Sequence, residues 1–123
     1  MTKNITLFLS FLLTIYSYSQ HTFSIVAVDS GTGYIGSAGA TCLDFEDGAL
    51  AISDIILNVG AIHTQAAYSV SNQLNARTRM QAGDSPENII SWLEANDDYS
   101  DGFNITDRQY GVVDLNSGSP RSA

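Results

Sequence analysis

His63 and Gln65 are the two residues of this chain with the plainest chemical use. An imidazole titrates near neutral pH and moves protons. A carboxamide can donate a hydrogen bond to a developing oxyanion. Both lie in Gly60-Ala61-Ile62-His63-Thr64-Gln65-Ala66, whose β-branched residues and entry glycine predict a strand. That strand can face an earlier hairpin. His63 also reads as a half-buried, hydrogen-bonded histidine with no chemistry. Arg108, beside Gln109, can hold a carboxylate ligand or pair with Asp107 or another surface acid; the pairing is preferred. Ser24, Ser37 and Cys42 have no base partner that spacing reveals. No Gly-x-Ser-x-Gly elbow and no phosphate loop occurs.

Two further constellations are weaker. Asp44, Glu46 and Asp47 crowd one loop and can be imagined around calcium, but their spacing is not that of an EF-hand. A solvated acidic loop is the preferred reading, and no metal or cofactor is expected. Cys42 is the single cysteine, which excludes an intramolecular disulfide and a cysteine-based zinc site. It reads as a small buried hydrophobe.

The elements that position these residues follow from pattern. Thr22-Phe23-Ser24-Ile25-Val26-Ala27-Val28-Asp29 predicts a strand, apolar enough on both sides to be covered on both. Ser30-Gly31-Thr32-Gly33 is a turn, and Tyr34 to Ala40 returns as a second, small-residue strand of a hairpin. Residues 49–59 read as a buried strand or a loop entering one, with helix left open. Ser69 to Ala82 predicts a helix stopped by Gly83, with a thin stripe of Val70, Leu74 and Arg77. Asp84-Ser85-Pro86-Glu87 opens a second helix: Ser85 is the cap and Pro86 the first helical residue, or Asp84 and Glu87 form a capping box. Ile89, Ile90 and Leu93 form its buried face. Arg108 to Asp114 is a further strand, closed by Asn116-Ser117-Gly118-Ser119. Strands, then two helices, then strand favour an α+β fold.

The ends and the charge bound the setting. Residues 1–19 combine Lys3, the apolar run Ile5 to Ile15, and small residues at Ser17 and Ser19. This is the pattern of a secretory signal peptide. The run is short for a membrane span, which needs roughly 20 apolar residues. Cleavage after Ser19 leaves residues 20–123 as one domain and removes the only lysine. The formal net charge is −8, carried by 13 acids. Such a surface repels nucleic acid and anionic membrane, and suits a secreted or periplasmic protein without a membrane association after signal removal.

The segments Thr22 to Asp29, Thr32-Gly33-Tyr34-Ile35-Gly36, Gly60 to Gln65, the helix pair around Gly83 and Pro86, and Arg108 to Asp114 together resemble the domain-of-unknown-function family ten-twenty-eight. That family is grouped with the N-terminal-nucleophile (Ntn) hydrolases. The resemblance implies an αββα four-layer sandwich, incomplete at the C-terminus, because family members continue past the length of this chain. It implies unpaired strand edges and a tendency to aggregate. It brings no established substrate. In Ntn hydrolases the first residue of the mature chain attacks a carbonyl, with its own α-amine as base. By that resemblance Thr22 is the nucleophile, supported by His63 and Gln65, on a small-molecule or peptide substrate with an amide bond. Cleavage after Ser19 leaves Gln20 and His21 ahead of Thr22, so two more residues must be trimmed. The lysine that some relatives place near the threonine amine is missing. The alternative is a secreted binding or accessory protein on the same fold, without catalysis.

Overall fold

The computed structural model describes residues 22–41 and 47–123. The signal-peptide reading over residues 1–19, and Cys42, Asp44 and Glu46, lie outside the described residues. Among the described residues the fold is α+β, with two antiparallel sheets and two α-helices.

Strands β1 (Thr22–Val28) and β2 (Ile35–Thr41) form a two-stranded sheet in the register Thr22↔Thr41 through Val28↔Ile35. Their turn is held by Asp29. Its carboxylate accepts from the Gly31 amide at 2.8 Å and the Thr32 hydroxyl at 2.7 Å, and Gly33 takes φ +74°. That left-handed conformation is the one glycine adopts at no steric cost.

The second sheet has the order β3-β4-β5-β6. Residues 49–59 do not make one strand. They divide into a 3-10 turn (Gly48–Ile52), strand β3 (Ser53–Ile56) and a reversal with Asn58 at φ +63°. Strand β4 (Gly60–Ala66) then pairs back on β3. Gly60 is required by space: a Cβ there would lie 2.2 Å from the Val113 carbonyl oxygen. Strand β5 (Arg108–Asn116) pairs with β4, and β6 (Ser119–Ser122) pairs with β5. The β5–β6 reversal places Ser117 and Gly118 at positive φ, the backbone of a type I′ hairpin. The residues after Asn116 thus form the turn and second strand of a short hairpin.

Helices α1 (Val70–Gln81) and α2 (Pro86–Ala95) cover one face of this sheet. Ser69 caps α1 by accepting from the Asn72 amide, and Ser85 caps α2 by accepting from the Asn88 amide, with Pro86 in the first turn. The buried core contains Ile56, Ile62, Ala76, Met80, Ile89, Leu93 and Val112. The inward stripe of α1 is Asn72, Ala76 and Met80, not Val70 and Leu74, which are exposed. Arg77 points instead to an ion pair with Asp54. A polar Asn72 can face inward because Asp97 and Tyr110 satisfy its side chain. Among the described residues no helix is long and apolar enough to cross a membrane.

The β1–β2 sheet packs across the other face of β4 and β5. Its own outer face has no layer over it among the described residues, so Phe23 and Ile25 are each 66 % exposed. The expectation that β1 is covered on both sides therefore holds for one side.

Candidate functional site

Strand alternation decides which residues meet between the sheets. In β4, Ile62 joins the helix-backed core, so His63 and Gln65 face β1 and β2. In β5 the neighbour of His63 is Gly111, and the neighbour of Gln65 is Gln109. In β1 the inward set is Thr22, Ser24, Val26 and Val28; in β2 it is Thr41, Gly39, Ser37 and Ile35. The resulting seam is polar for most of its length.

At one end, the hydroxyls of Thr22 and Thr41 lie 2.8 Å apart. Thr22 leads β1 and is half-buried there. One inward position along, the Ser24 hydroxyl donates to Gln65 Oε1 at 2.6 Å. The Gln65 amide donates in turn to Gln109 Oε1 at 2.8 Å. Residues two apart in a strand are separated by about 6.6 Å, so this chain of donors lies one step from Thr22. The exposed Gln109 carries its far end. Gln65 and Gln109 thus bring carboxamide groups to the layer beside Thr22.

His63 belongs to the next layer. Its Nε2 lies 2.7 Å from Ser37 Oγ, and Ser37 Oγ lies 2.7 Å from Ser53 Oγ. Ser53 is the β3 neighbour of His63. The histidine is 3 % exposed, and burial pushes its pKa below the ordinary 6.5. The imidazole is therefore neutral at pH 7, with one nitrogen able to accept a proton. Its Nδ1 has no hydrogen-bond partner among the described residues. Gly111 lies between the two sheets here: a Cβ at that position would make ordinary contact with His63 Cβ at 4.0 Å and Val26 Cγ2 at 3.9 Å.

The sequence-predicted residues thus separate. Gln65 is brought to the layer beside Thr22, and His63 is carried to Ser37, a further step away. Ser24, Ser37, Ser53 and Gln109 complete the seam, and sequence reasoning had no partners for them. The available signal was β2 itself: once the hairpin register is known, Ser37 falls opposite Val26 on the inward face.

Arg108 is not in the seam. It is buried on the helix side, where its Nε donates to Asp97 Oδ1 at 2.6 Å. Its terminal nitrogens donate to both oxygens of Asp101 at 3.0 Å, and to the carbonyls of Ala67 and Asp98. Asp107, the neighbour named from sequence, instead closes a capping box with Asn104. The guanidinium is fully used in holding the 97–107 connector, and none of it is left for a ligand carboxylate. Among the described residues no group of three or more His, Cys, Asp or Glu side chains could hold a metal ion.

No curated protein and no solved structure matches this chain. The sequence profile described as "Family of unknown function (DUF1028)" matches residues 22–121, from the first residue of β1 to within β6. The match covers both sheets, both helices and every residue of the seam, and the chain belongs to that family.

Proposed function

We propose that this chain is an exported amide-bond hydrolase of the Ntn type, on an αββα-like sandwich, with Thr22 as nucleophile. The observation that carries the reading is the position of Thr22. It is the first residue of β1, its side chain lies in the seam, and the Gln65–Gln109 donors lie one step along. The family match begins at the same residue. The stacking of two sheets, one of them covered by two helices on its outer face, supports the sandwich.

The chemistry requires Thr22 to become the first residue of the mature chain. Its free amine then takes the proton of Oγ1 as Oγ1 bonds to the substrate carbonyl carbon. The oxyanion accepts hydrogen bonds from the carboxamide of Gln65 or Gln109. The leaving amine departs with the proton, and water hydrolyses the Thr22 ester to release the acid. The hydrogen bond between the Thr22 and Thr41 hydroxyls orients Oγ1 before attack. His63 has no part in this step, because its ring is given to Ser37.

Mass spectrometry of the N-terminus of the exported protein tests the reading. A mature chain that begins at Thr22 is expected. One that begins at Gln20 and stays there ends the mechanism, because the amine of Thr22 would remain in a peptide bond. The second reading is a secreted binding protein on the same fold, favoured by the outward Phe23 and Ile25. It requires Thr22→Ala to leave all hydrolysis of amide substrates unchanged.

A further inference from the structure

A second constellation in the seam does not involve Thr22. Ser37 is exposed at the strand surface, while the histidine bonded to it is buried behind it. A serine hydroxyl on an exposed strand residue, hydrogen-bonded to a desolvated imidazole, is an arrangement that can make a serine nucleophilic. The 2.7 Å separation of Ser37 Oγ and His63 Nε2 is within the reach a general base needs. Ser53 adds the third member. With Ser37 donating to His63, the Ser53 hydroxyl is free to donate to Ser37 Oγ across 2.7 Å. That bond strengthens as negative charge grows on Ser37 Oγ. Ser53 and His63 are register partners on adjacent strands, so the trio is held by sheet geometry rather than by a loop.

We propose that Ser37 and His63 form a serine–histidine dyad that accepts an acyl group from small carboxylic esters, with Ser53 as its positioning residue. In the first step Ser37 Oγ bonds to the acyl carbon while its proton passes to His63 Nε2. The ester C–O bond breaks, and the leaving alcohol takes that proton from His63. In the second step water adds to the acyl-serine, giving its proton to His63. Ser37 leaves with that proton, and the carboxylic acid is released. No acid orients the far side of the ring: His63 Nδ1 has no partner among the described residues. The dyad is therefore a slow, promiscuous acyl acceptor compared with a full triad. It is independent of the trimming that Thr22 requires.

The test is labelling of the full chain with diisopropyl fluorophosphate, read by intact mass and peptide mapping. Here the Oγ–P bond forms, the P–F bond breaks, the proton goes to His63 and fluoride leaves. One adduct mapped to Ser37 is expected, and it should vanish in Ser37→Ala. In His63→Gln the labelling rate should fall by about 100-fold or more, the usual contribution of a general base. Ser53→Ala keeps the base and should slow labelling by a smaller factor. Far-UV circular dichroism accompanies each variant; if His63→Gln unfolds, the Ser37 mapping and the Ser53→Ala rate decide. An adduct on Thr22 or elsewhere, no adduct at all, or equal labelling rates in the folded wild type and both His63→Gln and Ser53→Ala would overturn the proposal.

Discussion

The two faces of the four-stranded sheet differ in almost every respect although the same strands build them. Toward the helices, Ile56, Ile62 and Val112 pack on Ala76, Met80, Ile89 and Leu93. Toward the β1–β2 sheet, the adjacent residues of the same strands are Ser53, His63, Gln65 and Gln109, each hydrogen-bonded through its side chain. Period-two alternation lets one strand serve both faces, so stability and chemistry are separated by a single residue step. The buried Arg108–Asp97 pair on the helix side sits at the end of β5 rather than in the middle of the core. Stability therefore rests on the helix face, and the seam is free to carry groups that a core would exclude.

This contrast can be broken from either side. The largest effect is expected at the buried ion pair. Asp97→Ala leaves the buried Arg108 with Asp101 as its one ion-pair partner among the described residues and removes an acceptor from Asn72. A loss of about 3–5 kcal/mol is expected, as for other buried pairs deprived of one partner. Leu93→Ala should cost about 2–5 kcal/mol by opening a cavity under α2. Urea unfolding measures both. A loss below 1 kcal/mol at either site would mean that the helix face is not the seat of stability. At the other extreme, Ser24→Ala in the half-buried seam should cost no more than about 1 kcal/mol, since the Gln65 Oε1 that loses its donor belongs to a residue that is only half-buried. A larger loss would erase the distinction between the faces.

Acid separates the faces in a second way, with smaller effect. Burial lowers the pKa of His63, so the unfolded chain binds its proton first as pH falls. Stability from this group is complete above 6.5 and declines as pH drops through that value toward the lowered folded one. His63→Gln should flatten that decline. Asp98 responds lower down. Hydrogen bonds from Ser71 and Ser100 bring its pKa from 3.8 to about 2. Its contribution is present above 3.8 and is lost as pH falls toward 2. Melting temperatures across pH 2–8 should show the seam yielding first and the 97–107 connector later; a single transition of stability near pH 4 would contradict this.

Local signals were the legible part of this chain. The Ser85–Pro86 helix start and the Gly83 stop each depend on neighbours a few residues away, and each stands where sequence places it. What depends on long-range register was not legible. The inward stripe of α1 follows from Asn72 meeting Asp97 and Tyr110, which lie 25 and 38 residues away. Those partners turn a polar residue inward and leave Leu74 in solvent. The partners of Arg108 depend on the path of the 97–107 connector, which brings Asp97 and Asp101 back to β5 while Asp107 turns to Asn104. In the seam, Thr22, His63 and Gln65 were visible as residue types. Their grouping was not, because pairing of Ser37 with His63 needs both the β1–β2 register and the packing of one sheet on another.

The Asp29 turn acquires a role from that dependence. β1 exposes Phe23 and Ile25 on one side and presents Thr22 and Ser24 on the other. A slip of one residue in its register would exchange the two sets, burying the aromatic ring and expelling the hydroxyls. Nothing in the composition of β2, mostly glycine, alanine and serine, would strongly resist such a slip. The carboxylate of Asp29, clamped on Gly31 and Thr32, works as a key that admits only one alignment of the hairpin. An exposed turn at the far end of β1 thus governs which atoms reach the seam.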